Sequence, residues 1–242
     1  MDLGLAHKIA FVTGGASGIG NAIASVFARE GATVYIGDLP DALDASSSER
    51  NIRLDVAEEK SVRDAFAQLD ERAGGIDILV NSAGVLRSGP LSSSALDDWE
   101  SLSAINVGGL YACSMAAVAM MAPRKYGKIL NLSSISAIKG GGFIGNALYG
   151  TSKAAVSTLT KGFAREYAPF GINVNAIAPG LTDTPMIAAL DEEARERIVA
   201  GVPARRLAEP TDIANLAAFL VSDLAGYING STVIIDGGAL TL

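Results

Sequence analysis

Apolar residues in this chain come in short, β-branched runs, at 8–13, 33–37, 51–54, 76–80, 128–132, 172–177 and 232–235, and each reads as a strand. Between them the apolar positions change period. Ile23, Val26 and Phe27 share one face of a helix predicted over 19–30, and Val62, Phe66 and Leu69 one face of another over 58–72. Helices are also predicted over 97–121, from Tyr149 to about Ala168, over 191–200 and over 211–221. The 97–121 helix is so apolar from Ile105 onward that most of its circumference should be buried. The polar, serine-rich stretch 41–48 reads as a connection. Strand and helix alternate throughout, and the strands are apolar on both faces. The pattern predicts an α/β fold, doubly wound, with one parallel sheet of about seven strands covered by helices on both sides. No repeat, linker or composition break divides residues 1–242, so a single domain is expected.

Composition narrows the functions. The chain is 49% hydrophobic and carries a net charge of -7 with no basic block, which speaks against nucleic acid or an anionic membrane as partner. The start, Met1-Asp2-Leu3-Gly4, lacks the pattern of a signal peptide. The longest apolar stretch, about 110–122, is interrupted by Cys113 and Ser114 and is too short to span a bilayer, so a cytoplasmic location is expected. Cys113 is the only cysteine and sits among apolar neighbours, as a buried thiol would. His7 is the only histidine; no metal site needing two His or Cys ligands is expected, and a Ser-His-Asp triad is disfavoured.

In an open parallel sheet, ligands bind beyond the carboxyl ends of the strands. The first strand ends in Thr13-Gly14-Gly15-Ala16-Ser17-Gly18-Ile19-Gly20. Glycines at 14, 18 and 20 allow a tight turn and close approach of a pyrophosphate to the N–H groups of the next helix. The second strand ends at Asp38, whose carboxylate would accept from ribose hydroxyls and repel a 2′-phosphate. Neither Ser17 nor Leu39 supplies a cation for such a phosphate. NAD is therefore expected rather than NADP. Asp55 ends the third strand and has two readings: a bond to adenine, with Val56 packed on the ring, or a helix N-cap. Asn106 is a polar amide in an apolar helix and needs a partner, or bends that helix. Tyr149 and Lys153 lie one helical turn apart on the same face. A nearby ammonium favours phenolate, so this pair predicts a tyrosine of lowered pKa acting as general acid–base.

Taken together, Thr13-Gly14-x-x-x-Gly18-Ile19-Gly20, Asn81-Ser82-Ala83-Gly84, Asn106, Ser134, Tyr149-x-x-x-Lys153, Pro179-Gly180 and Asp236-Gly237-Gly238 resemble the short-chain dehydrogenase/reductase family over essentially the whole chain. The resemblance implies a Rossmann-type sheet and hydride exchange between a nicotinamide and a carbonyl or alcohol. It also implies a catalytic tetrad of Asn106, Ser134, Tyr149 and Lys153, with Asn106 holding a water beside Lys153. Asn81, Ala83 and Gly84 would border the ribose, and Pro179, Thr182 and Thr184 the carboxamide and phosphates. Residues 183–206 would form a lid, and the assembly would be a homotetramer through the apolar helices 105–121 and 149–168 and the tail 239–242.

Two departures qualify the resemblance. Ser82 stands where the family's second Asn is usual, and Ser134 precedes Tyr149 by 15 residues, which leaves Ser136 as a rival hydroxyl. Ser134 is preferred because the strand end Asn131-Leu132-Ser133-Ser134 fixes its place. Ser136-Ala137-Ile138-Lys139 matches a Ser-x-x-Lys acylase motif without that motif's companions, and is set aside. Candidates for the substrate pocket are Ser136, Lys139, Phe143, Asn146, Leu181, Met186 and Leu190, a mixture suited to a small polyol, sugar, hydroxy acid or diketone. Two rivals stand beside this reading: a 3-oxoacyl-thioester reductase using NADPH, and a non-catalytic NAD(H)-binding regulator.

Overall fold

Neighbouring residues of the first strand part company: Ala10 and Val12 enter one apolar cluster, Phe11 another. Side chains alternate along a strand, so a sheet apolar at every position needs a core on each face. The computed structural model describes residues 2–43, 48–188 and 190–241. Strands β1 (Ile9–Thr13), β2 (Thr33–Asp38), β3 (Asn51–Arg53), β4 (Ile78–Asn81), β5 (Gly127–Leu132), β6 (Ile172–Pro179) and β7 (Thr232–Ile235) form one parallel sheet, in the order β3-β2-β1-β4-β5-β6-β7. Strand order reverses between β1 and β4, which is where such sheets open a crevice.

The helices are α1 (Gly18–Arg29), α2 (Pro40–Leu43), α3 (Glu59–Ala73), α4 (Leu96–Leu102), α5 (Leu110–Met121), α6 (Ser136–Lys139), α7 (Ala147–Tyr167), α8 (Glu192–Ala200) and α9 (Pro210–Val221). One face of the sheet packs on α1 and α9, through Ile23, Phe27, Ile213 and Ala217. The other packs on α3, α5 and α7, through Phe66, Leu69, Cys113, Ala117 and Phe163. Phe11 meets Phe66 edge to face at 5.4 Å.

The departures from expectation are local. The polar 41–48 connection opens with the single turn α2, while 44–47 lie outside the described residues. The long helix is not uniform: a π-helical stretch, Ser103–Gly109, separates α4 from α5 and carries Asn106. Such stretches are rare and occur mostly as bulges inside α-helices, often at functional sites, and Gly108 and Gly109 lower the helix propensity here. The apolar run also extends further than 110–122. Leu96–Arg124 is long and apolar enough to cross a membrane by length and composition, but Cys113, Ala117 and Met121 are fully buried in the core. Before residue 242 the chain folds back. Asp236 accepts from Gly238 N at 2.9 Å and Leu240 N at 2.8 Å, curling the chain so that Ala239 packs on Ile135 and Val202. Leu242 lies outside the described residues.

Candidate active site

Register brings the strand ends level: Thr13 stands opposite both Gly37 and Asn81, and Asn81 opposite Asn131. A cleft of about 330 Å³ runs along this edge, from Asp38 and Asp55 at the β2–β3 side to Ser134 and Tyr149 beyond β5.

The β2–β3 half is largely backbone. A Cβ on Gly14 would lie 2.7 Å from the Ala83 backbone, and one on Gly20 2.2 Å from the Gly14 carbonyl, so the loop closes only with glycine there. Ser17 caps α1 in extended conformation but makes no side-chain cap bond, and no acid lies in the first turn. The N–H groups of Gly18, Ile19 and Gly20 therefore meet the cleft without a competing carboxylate, as an anion site requires. Asp38 takes Ala16 N on one oxygen and Leu39 N on the other, both at 2.9 Å, which fixes its carboxylate beside the loop. Leu39, Asp55, Val56, Ala83 and Gly84 complete this part of the lining. One Asp55 oxygen accepts from Ala57 N at 2.9 Å, closing a turn ahead of α3 rather than capping it. Thr13 heads the first-strand motif without a role assigned to it there; its hydroxyl accepts from Ser82 N at 3.2 Å and Ala83 N at 3.3 Å. Those two bonds hold the turn after β4, so Ser82 serves through its backbone.

At the other end, Asn146 caps α7 by accepting from Tyr149 N at 3.1 Å, while its amide donates to Ser94 Oγ at 3.0 Å. The Tyr149 phenol and Ser134, which is 9% exposed, line the same end of the cleft, and Ser134 is the side chain that draws the phenol's pKa down. Ser134 Oγ also accepts from Ser136 N at 3.1 Å, whereas Ser136 Oγ packs under Gly142, 2.6 Å from where a Cβ would sit. Ser134, not Ser136, meets the phenol. Its neighbour Ser133 turns inward, donating to the Lys153 carbonyl at 3.0 Å.

Lys153 corrects the expected electrostatics. Its ammonium is 5.8 Å from the Tyr149 ring centre and donates to the Leu132 carbonyl at 2.8 Å. Burial pulls this amine down to about 8. Tyr149 is pushed up to about 12 by burial, and what pulls it back is the Ser134 bond rather than the lysine. Within the chain alone, then, the pair is a neutral phenol beside a weakened ammonium.

Two expected site residues do not line the cleft. Asn106, 1% exposed, accepts from Val85 N at 2.9 Å and donates to Val85 O and Ser152 Oγ, both at 3.0 Å. It clamps the loop after β4 to α7 from beneath. Gly84 lies above it, and a Cβ there would be 3.1 Å from its Oδ1 and 3.5 Å from Lys153 Nζ. Asn81 points into the core, donating to Ser114 Oγ at 2.9 Å and Asn131 Oδ1 at 2.8 Å, while its own buried Oδ1 has no partner among the described residues.

Pro179, Thr182 and Thr184 line the cleft as expected, with Thr184 facing Gly18 across it. Residues 183–206 are anchored at both ends: Asp183 N donates to Ala208 O at 2.9 Å, and Arg206 pairs with Asp212 at 2.6 Å. Of the substrate-pocket candidates, Ser136, Phe143, Leu181 and Met186 line the cleft. Lys139 instead lies over the Phe143 ring at 4.6 Å, Asn146 is spent on capping, and Leu190 packs outside with Ile187 and Ile198. Leu86 and Ile144, which sequence passed over, stand in their place. No signal of composition or spacing marks them; only the course of their loops does.

Fold and cleft together define a parallel α/β dinucleotide-binding architecture with a Ser-Tyr-Lys cluster at its mouth. A family profile described as enoyl-(acyl carrier protein) reductase matches residues 14–240. The 3-oxoacyl-(acyl-carrier-protein) reductase FabG of Aquifex aeolicus is 34% identical, over 98% of this chain and 99% of its own. The 2,5-dichloro-2,5-cyclohexadiene-1,4-diol dehydrogenase LinX of Sphingobium indicum is 38% identical, over 97% and 96%. Among solved structures, a candidate NAD(P)-dependent gluconate 5-dehydrogenase from Beutenbergia cavernae, with NADP bound at low occupancy, superposes with a TM-score of 0.92 at 34% identity and full coverage of both chains. The chain belongs to the short-chain dehydrogenase/reductase family, whose members bind a nicotinamide coenzyme, and it is an oxidoreductase of that family.

Proposed function

We propose that this protein interconverts a secondary alcohol and a ketone with NAD(H) as coenzyme. The observation that carries this reading is the Tyr149–Ser134 contact at one end of a cleft whose other end presents Asp38. The chain's residues fit a dinucleotide: the N-terminus of α1 has no side-chain cap, the glycine turn admits close approach, and a fixed carboxylate stands at the end of β2. Among the described residues lining the cleft, Lys153 is the only cation, so none faces Asp38 to receive a 2′-phosphate.

When bound, the nicotinamide supplies hydride exchange with the substrate carbon. Tyr149, protonated at neutrality, delivers its proton to the carbonyl oxygen during reduction and recovers it during oxidation. Ser134 hydrogen-bonds the same oxygen and stabilises the charge that develops on it. Lys153 would hold the nicotinamide ribose through its ammonium. Asn106 acts as a positioning residue, bonding Val85 and Ser152, the chain neighbours of Gly84 and Lys153. Residues 183–206 close over the substrate as a lid. For assembly, the exposed Tyr111 and Met115 on α5, continued by Tyr167 and the exposed Phe170 over buried Phe163, supply the face on which a homotetramer would form.

A second reading, reduction of a 3-oxoacyl thioester with NADPH, draws on the Aquifex relative and on the NADP in the Beutenbergia structure. Coenzyme absorbance separates the two. With a panel of ketones, alcohols and acyl thioesters, NAD(H) is expected to exceed NADP(H), and Tyr149→Phe to lose turnover by at least about a hundredfold while still binding NADH. Equal rates with both coenzymes would overturn the role of Asp38, and an active Tyr149→Phe the acid–base role.

A further inference from the structure

Resting on the oxidoreductase reading above, we infer that the site takes an uncharged carbonyl or secondary alcohol on a hydrocarbon body, and disfavours polyols, sugar acids and oxo acids. The wall around Tyr149 is built from Leu86, Ile135, Phe143, Ile144, Leu181 and Met186. They arrive from four places: the loop after β4, the approach to α6, the loop before α7, and the segment beyond β6. Leu86 stands beside the phenol: a Cβ on Gly145 would lie 2.5 Å from the Tyr149 ring and 3.3 Å from a Leu86 methyl. Phe143, Ile144 and Leu181 pack behind the cleft on buried Ile187, Ile198 and Leu207, so the wall is backed by a small core of its own.

Of the hydroxyls beside this wall, Ser133 donates to the Lys153 carbonyl, Thr182 donates to the Gly180 carbonyl at 3.2 Å, and Thr184 faces Gly18. Ser134 lies beside Tyr149 and serves the same substrate oxygen, and the Ser136 hydroxyl is packed against Gly142. Charges are scarce. Asp38 and Asp55 belong to the β2–β3 end, and the Lys153 ammonium is buried on the Leu132 carbonyl. Lys139, the nearest other cation by sequence, covers Phe143 and is not part of the lining. A substrate carboxylate would leave water for an apolar wall with no counter-ion, and the extra hydroxyls of a polyol would leave water without partners. A ketone on a hydrocarbon skeleton has one polar atom to satisfy, and Tyr149 with Ser134 satisfies it. Both an alicyclic ketone and a 3-oxoacyl thioester carry that chemistry.

The test measures kcat/KM by coenzyme absorbance with four probes of matched size: an alkylcyclohexanone, a 3-oxoacyl thioester of N-acetylcysteamine, a keto-sugar acid and a 2-oxo acid. Either neutral probe is expected to exceed both acids by roughly a hundredfold, and the ratio of ketone to thioester tells those two carriers apart. Faster turnover of either acid overturns the inference while leaving the oxidoreductase reading intact. No turnover of any probe overturns both. Met186 is half exposed on the outer wall, so Met186→Arg leaves the core undisturbed. It is expected to narrow the preference for neutral probes by about tenfold; an unchanged ratio overturns the assignment of this wall to the substrate.

Discussion

At the β2–β3 end the cleft is made of backbone: a glycine turn, the first N–H groups of α1, and a carboxylate held by two main-chain amides. At the Tyr149 end it is made of side chains delivered by elements far apart in sequence, Ser134 after β5, Tyr149 on α7, Leu86 after β4 and Met186 beyond β6. The first end suits a ligand whose shape does not change between enzymes, because backbone geometry offers little to vary. The second can change its lining loop by loop while the phenol and its serine stay in place. Stability is also distributed differently. The glycine end buries no charge, whereas the Tyr149 end buries an ammonium, which disfavours the folded state.

That difference can be broken most sharply at Lys153. Lys153→Met is expected to lower turnover by about a hundredfold or more. It also isolates the burden of burying the ammonium. The folded-state pKa of about 8 lies below the ordinary 10.5, so between those values the unfolded chain binds more protons. The wild-type protein therefore gains stability as pH rises from about 8 to 10.5, with the full penalty present below 8. Urea unfolding of wild type and variant should show their stability difference move in favour of wild type by about 3 kcal/mol across that window. A difference that stays flat would mean the ammonium is not held as described.

Asp38→Ser sharpens the comparison at the other end. A hydroxyl can still accept from Ala16 N, but the negative charge is gone. The NAD-to-NADP ratio of kcat/KM is expected to fall by about tenfold, with rates on a good substrate otherwise kept. An unchanged ratio would place coenzyme choice outside the β2–β3 end. The smallest effect belongs to the clamp between the two ends. Asn106→Ala strands the N–H and carbonyl of Val85, a cost of about 1–3 kcal/mol in thermal or urea unfolding. Turnover should fall less than in Tyr149→Phe, and mainly in kcat. Full activity with unchanged stability would remove Asn106 from the positioning role.

Legibility followed the same division. The glycine turn and Asp38 could be read because each is a local pattern ending a strand, and Tyr149 with Lys153 because helical spacing alone puts them on one face. The strand end favours Ser134 over Ser136, and in the structure it is Ser134 that draws the Tyr149 pKa down. Leu86, Ile144 and the role of the Thr13 hydroxyl were not legible, since their importance lies in what a distant loop brings against them. Lys139, Asn146 and Leu190 lie close to the site in sequence, yet loop direction, capping and an outer apolar cluster draw them away.

Sequence by itself determined the alternating α/β plan, the strand ends that form the cleft, and the types of residue available for proton transfer. These depend on period, turn chemistry and spacing within one or two elements. Only the tertiary structure decided how those groups titrate and what surrounds the substrate. A pKa depends on desolvation and on where an ammonium actually points: Lys153 turns to the Leu132 carbonyl, and burial raises Tyr149 with only Ser134 pulling it back. A pocket wall depends on which loops meet, and here they bring apolar side chains to a place where the sequence had suggested a mixed one.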